Sequence, residues 1–160
     1  MMMRGMLQAA ALAATAYAML PAAAHAQLIS AADPAAVAKV LQDKGYRAEL
    51  TKDSEGDPLI KSGAEGASFL LLFFNCTKGK NCATVQFYAG FDREGSYSLE
   101  KLNEWNRTKR FGRAYRDNEG DPVIEMDVDM DDGGMSKALF EDNVEFWTSL
   151  LSSFQQFIDA

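Results

Sequence analysis

The residues able to do covalent chemistry are few. Cys76 and Cys82 are the only cysteines, separated by the turn-forming and charged residues Thr77-Lys78-Gly79-Lys80-Asn81. In an oxidising compartment, two cysteines that close so short a loop most simply form a disulfide. The chain-entropy value of such a ring is about 2 kcal/mol. The alternative is a thiol-disulfide redox pair, although the spacing does not match Cys-x-x-Cys and no third or fourth metal ligand stands nearby. The one histidine, His25, lies in a segment expected to be removed. The mature chain therefore lacks the means for Ser-His-Asp or Cys-His catalysis, for an imidazole base, or for an ordinary zinc site. No pair of acids sits in a motif that would separate two pKa values, and there is no glycine-rich phosphate loop or Gly-x-Ser-x-Gly elbow. The expectation is a protein without catalytic residues or cofactor.

Charge suggests two further constellations. Asp127, Asp129 and Asp131 have the one-three-five spacing of a calcium loop. Asp132 takes the position that needs glycine, and Ala138 stands where the bidentate acid belongs. A simpler cause of the pattern is strand alternation, with Met126, Val128 and Met130 inward and the acids in water; weak divalent binding is the alternative. Lys109, Arg110, Arg113 and Arg116 form a basic cluster on the strand facing those acids. One register pairs Arg113 with Glu125 and Lys109 with Asp129; its neighbour pairs Arg110 with Asp127 and Arg116 with Asp121. Either gives charge compensation worth a few tenths of a kcal/mol per exposed pair. Trp105, Asn106, Arg110 and Arg113 make the candidate interaction surface. Tyr97 and Trp105 could line a groove, though aromatics at this spacing also pack against sheets.

The N-terminus reads as a signal peptide. Met1-Met2-Met3-Arg4 is basic, the run from Gly5 to Leu20 is apolar, Pro21 breaks it, and Ala24-His25-Ala26 supplies small residues for cleavage. The apolar run is too short and alanine-rich for a membrane span, and no cysteine near the cut offers a lipid anchor. The expected organisation is residues 1–26 as leader and 27–160 as one domain, periplasmic or secreted, with no stable membrane insertion after cleavage. Losing Arg4 removes one of 16 basic residues and none of the 23 acidic ones, so the net charge moves from −7 to −8. Such a chain is a poor nucleic-acid ligand.

The elements that must position these residues follow from periodicity. Phe69 to Cys76 and Cys82 to Phe91 read as a central antiparallel hairpin. The first run is apolar throughout, which predicts a strand covered on both faces; the second alternates, which predicts one less buried face. Asp33-Pro34 caps a helix that Gly45 stops. Tyr46 to Thr51 alternates as a half-buried strand, and a short strand follows around Leu59 and Ile60. Ser98 caps a short helix through Asn106, and Phe111–Arg116 and Pro122–Met130 form a second hairpin. The final helix, from about Ser136 to Ile158, carries Phe140, Val144, Trp147, Leu151, Phe154 and Ile158 on one stripe. Asp53-Ser-Glu-Gly-Asp-Pro-Leu-Ile60 recurs as Asp117-Asn-Glu-Gly-Asp-Pro-Val-Ile124, which reads as two hairpin turns. The result is an α+β domain with an antiparallel sheet of about six strands.

Gly45-Tyr46, Gly56-Asp57-Pro58, the Phe73–Cys76 and Cys82–Phe91 strands, Asn103-x-Trp105-Asn106, Arg110-Phe111-x-Arg113-Ala114 and the Asp127 strand leading through Gly134 to Trp147 together resemble the YbjN domain family. The likeness runs from about Ala32 to Ile158, and its Trp-Asn and Arg-Phe block is the most specific part. It implies a twisted antiparallel sheet with helices against it, similar to type III secretion chaperones, and a role described as sensory-transduction regulation. It supplies no catalytic residue. By analogy with the chaperones it also implies an unidentified protein partner and a homodimer.

Overall fold

The computed structural model describes residues 27–159, so the predicted leader lies outside the described residues. The chain runs β1 (Leu28–Ile29), α1 (Pro34–Asp43), β2 (Ala48–Lys52), β3 (Pro58–Ala64), β4 (Ala67–Phe74), β5 (Thr84–Gly90), α2 (Leu99–Thr108), β6 (Arg113–Arg116), β7 (Pro122–Asp129), β8 (Met135–Ser136) and α3 (Lys137–Asp159). Six strands form one antiparallel sheet in the order β2-β3-β4-β5-β7-β6. The fold is α+β, as the sequence patterns require. The two-residue pairing of β1 with β8 is an addition, too short to leave a period in the sequence.

Helix ends fall where side chains can satisfy the unbonded terminal N–H groups. The Asp33 carboxylate accepts from the Ala36 N–H with Pro34 at the first helical position, and the Ser98 hydroxyl accepts from Lys101 at the start of α2. All six stripe residues of α3 are buried against one face of the sheet. There Trp147 lies 5.8 Å from the ring of Phe69 and 5.4 Å from that of Phe87, centroid to centroid. Burying each such side chain contributes roughly 1.5–3 kcal/mol.

The uniformly apolar β4 corrects one expectation. Phe69, Leu71 and Phe73 point into the core, but Leu70 and Leu72 are only half-buried and Phe74 is 43% exposed. The helices cover one sheet face, leaving the other to be shaded by its own side chains. The β5 alternation is as read: Val85, Phe87 and Ala89 are buried in the core.

The repeated eight-residue segment builds two turns with the same bonding. In each, the leading aspartate accepts from the N–H two and four positions on: Asp53 from Glu55 and Asp57, Asp117 from Glu119 and Asp121. Each turn also receives a neighbouring loop. Gly79, between the two cysteines, lies so close to the Gly56 carbonyl that an added Cβ would come within 2.8 Å of its oxygen. Tyr97 donates its N–H to the Gly120 carbonyl at 2.9 Å.

Candidate functional site

Register decides which polar groups meet on the sheet face turned away from the helices. One row crosses all six strands as Glu49, Lys61, Leu70, Tyr88, Glu125 and Arg113. The next runs Thr51, Leu59, Leu72, Gln86 and Asp127. The structure thus selects the register that pairs Arg113 with Glu125. The companion pair, Lys109 with Asp129, does not form in the ladder, because β6 begins only at Arg113.

Glu125 is the centre of the constellation. The residue is only 6% exposed, and its carboxylate forms an ion pair with Arg113 and accepts the Tyr115 hydroxyl at 2.6 Å. Beside it, the Gln86 amide donates to Asp127 at 2.7 Å. Burial pushes the Tyr115 phenol far up, and its hydrogen bond to Glu125 and that group's negative charge push the same way. Tyr88 is raised by burial first and then by Asp117, Glu125 and Glu119. Arg113 is held charged chiefly by its hydrogen bond to Glu125. The phenols stay neutral and the guanidinium stays charged. This arrangement suits contact through hydrogen bonds and apolar surface.

A cleft of about 390 Å³ opens at the β6 edge, lined by Asn106, Arg113, Ala114 and Tyr115. Two of the sequence-derived surface residues, Asn106 and Arg113, meet there. The Asn106 amide spans the edge strand, accepting from the Ala114 N–H and donating to the Ala114 carbonyl, both at 2.8 Å. It satisfies backbone groups that an edge strand would leave unpaired. Trp105 is a correction: it is fully buried, 4.9 Å from the Phe154 ring, and so belongs to the core. The reason is helical spacing, which puts it on the same face of α2 as buried Leu102. Arg110 stands apart, its guanidinium 4.8 Å from the centre of the Phe111 ring. Tyr115, the residue that sequence reasoning missed, carried a signal: it stands two residues from Arg113, on the same strand face, with buried Ala114 between them on the other.

The three aspartates with calcium-loop spacing are not gathered. Asp127 and Asp129 are two strand residues apart, roughly 7 Å along β7. Asp127 bonds Gln86, and Asp129 accepts from the Asp131 N–H. Among the described residues, one acidic trio has carboxylate oxygens within 4.8 Å of one another: Asp117, Glu119 and Asp121. These are turn residues, and Asp117 already accepts two backbone N–H groups. Cys76 and Cys82 form the disulfide, with Cα atoms 3.9 Å apart and Cys82 buried.

The fold and this surface define a two-layer α+β domain with helices on one sheet face and a mixed polar and aromatic surface on the other. The family model described as "Putative bacterial sensory transduction regulator", YbjN, matches residues 33–160, and the chain belongs to that family. No curated protein matches it.

Proposed function

We propose that the protein is an exported, non-enzymatic binding module that acts on other proteins in a chaperone-like or regulatory manner. The observation that carries this reading is the helix-free sheet face, which the Arg113–Glu125 pair shares with half-buried Leu70, Leu72, Tyr88 and Tyr115 and with exposed Phe74. An apolar surface bordered by satisfied polar groups is the composition of a protein contact. Membership of a family whose description is a regulatory one supports the same direction. Among the described residues no helix is long and apolar enough to cross a membrane. Cys82, buried in the core, supports a structural disulfide over a redox pair.

The test places a photo-crosslinking residue at Leu72, Phe74 or Arg113 in cells expressing the full chain. Discrete adducts with the same proteins from all three positions are expected, along with an N-terminus at Gln27 in the recovered protein. An absence of adducts from the whole face, or retention of the leader, overturns the corresponding part. Alkylation of both thiols by iodoacetamide after mild reduction of the native protein would favour the redox alternative.

A further inference from the structure

A second surface lies away from the sheet face, on α3. Besides its buried stripe, the helix carries Leu139, Asn143, Phe146 and Leu150 at spacings of four, three and four. This row forms a seam roughly 16 Å long at 1.5 Å per residue, in which Asn143 and Leu150 are half-buried, Leu150 against the core. Leu139 is 51% exposed and Phe146 44%. Phe146 is met by Phe111, itself 58% exposed, with ring centroids 4.9 Å apart.

The backbone at Phe111 is unusual. Its φ is +68°, and the Gly112 N–H donates to the Arg110 carbonyl at 2.9 Å, closing a γ-turn of the strained hand around an aromatic residue. A bulky side chain is held there at a conformational cost, and that turn puts its ring against Phe146 in solvent. Such outliers persist where surrounding structure enforces them, and they concentrate at functional sites.

Charge names the occupant. Arg107 in the last turn of α2 and Lys109 and Arg110 just after it are exposed, Lys109 over the Trp105 ring and Arg110 over that of Phe111, and among the described residues none has a carboxylate within ion-pair distance. On a chain of net charge −7 this is a concentrated positive edge beside an apolar seam. Helical geometry puts Asp142 and Glu145 on the opposite flank of the seam, with Glu145 already bonded to Lys44. A flat anionic bilayer would press against those acids as well as the basic loop, whereas a helix can carry its acids on one side only.

We propose that the seam Leu139–Phe146–Leu150, with Phe111, docks an amphipathic helix of a partner protein that brings carboxylates to Arg107, Lys109 and Arg110. This rests on the protein-binding reading and adds a second contact site with a defined partner chemistry.

The probes are two designed helices of about 18 residues with leucine at heptad seam positions, one flanked by glutamates and one by lysines. Binding is read by anisotropy at about 20 mM and about 500 mM salt, and mapped by amide chemical shifts on protein recovered from cells expressing the full chain. The glutamate helix should bind at least about tenfold tighter at low salt, with the advantage shrinking at high salt. Shifts should centre on residues 107–112 and 139–150. Phe146→Ser should weaken both helices, and Arg107→Glu with Arg110→Glu should reverse the preference; both change exposed residues, and circular dichroism checks the fold. Equal binding, unchanged preference in the double variant, or shifts elsewhere overturn the proposal. So does a concentration-dependent dimer lost in Phe146→Ser, or Phe111-dependent sedimentation with phosphatidylglycerol vesicles. Failure of both helices to bind while the sheet face still crosslinks refutes this inference and leaves the binding-module reading intact.

Discussion

Replacing Asn106 with alanine isolates the clamp on the sheet edge. The amide makes two 2.8 Å bonds to the backbone of Ala114, a residue only 4% exposed. Two such bonds stabilise the fold by about 1 kcal/mol each, net of the water they displace. Alanine in a helix regains about 0.6 kcal/mol over asparagine, so the expected net loss is about 1.5 kcal/mol. With about 2.1 cal/mol/K of unfolding entropy per residue over the roughly 130 described residues, Tm should fall by about 5 °C. Asn103→Ala, at an exposed position one turn earlier in α2, collects the helix term alone and should raise Tm by about 2 °C. Differential scanning calorimetry reads both. Equal Tm changes in the two variants, or an Asn106→Ala protein melting within a degree of wild type, would refute the clamp. Static light scattering on the same samples should show earlier aggregation of the Asn106 variant, because its β6 edge is freed for pairing.

Other outcomes follow from the same geometry. Replacing both Cys76 and Cys82 by serine opens the short ring and should cost about 2 kcal/mol by urea unfolding while the fold survives in circular dichroism. Gly79→Ala should lower the urea midpoint distinctly more than Gly95→Ala. Their φ values of +73° and +75° exact the same backbone cost, but only the Cβ at Gly79 would meet the Gly56 oxygen. Stability should hold up to roughly pH 10 and then fall, because unfolded tyrosine ionises there while Tyr115 keeps its proton in the fold. Tyr115→Phe should flatten part of that fall in unfolding curves taken between about pH 8 and pH 11.

Legibility depended on whether information was local. The α3 stripe, the Asp33 and Ser98 caps and the β4–β5 hairpin are stated by short-range periodicity and turn chemistry, and the structure has each of them. The Arg113–Glu125 pair needed a register, and both registers gave charge compensation, so the deciding factor was the turn that Asp117 closes on the Asp121 carbonyl. Phe69 to Phe74 could not show that one of its faces would be covered only by neighbouring side chains, since hydrophobicity reports burial without reporting by what. Asn106 looked like surface chemistry because its role, pairing with Ala114 eight residues later, is a tertiary bond. The calcium-like spacing of Asp127 and Asp129 was the pleat of β7, with Asp131 standing beyond the strand's end. The strained turn at Phe111 has no signature beyond the glycine that follows it.

The pairing of β1 with β8 bears on the order in which the chain can fold. Leu28 finds its strand partner only at Ser136, and the Gln27 carbonyl is taken by the Lys137 N–H. Gly134 lies against the Ile29 carbonyl so closely that no side chain fits there. Anything that delivers the polypeptide N-terminus first must therefore present β1 more than a hundred residues before its partner exists, whereas α1 meets β2 and β3 soon after it emerges. A loop closed over that distance is also among the slowest contacts to form. A nascent chain halted before residue 135 would leave β1 without its strand partner. The last helix to be synthesised is thus the latch that commits the first segment to its place.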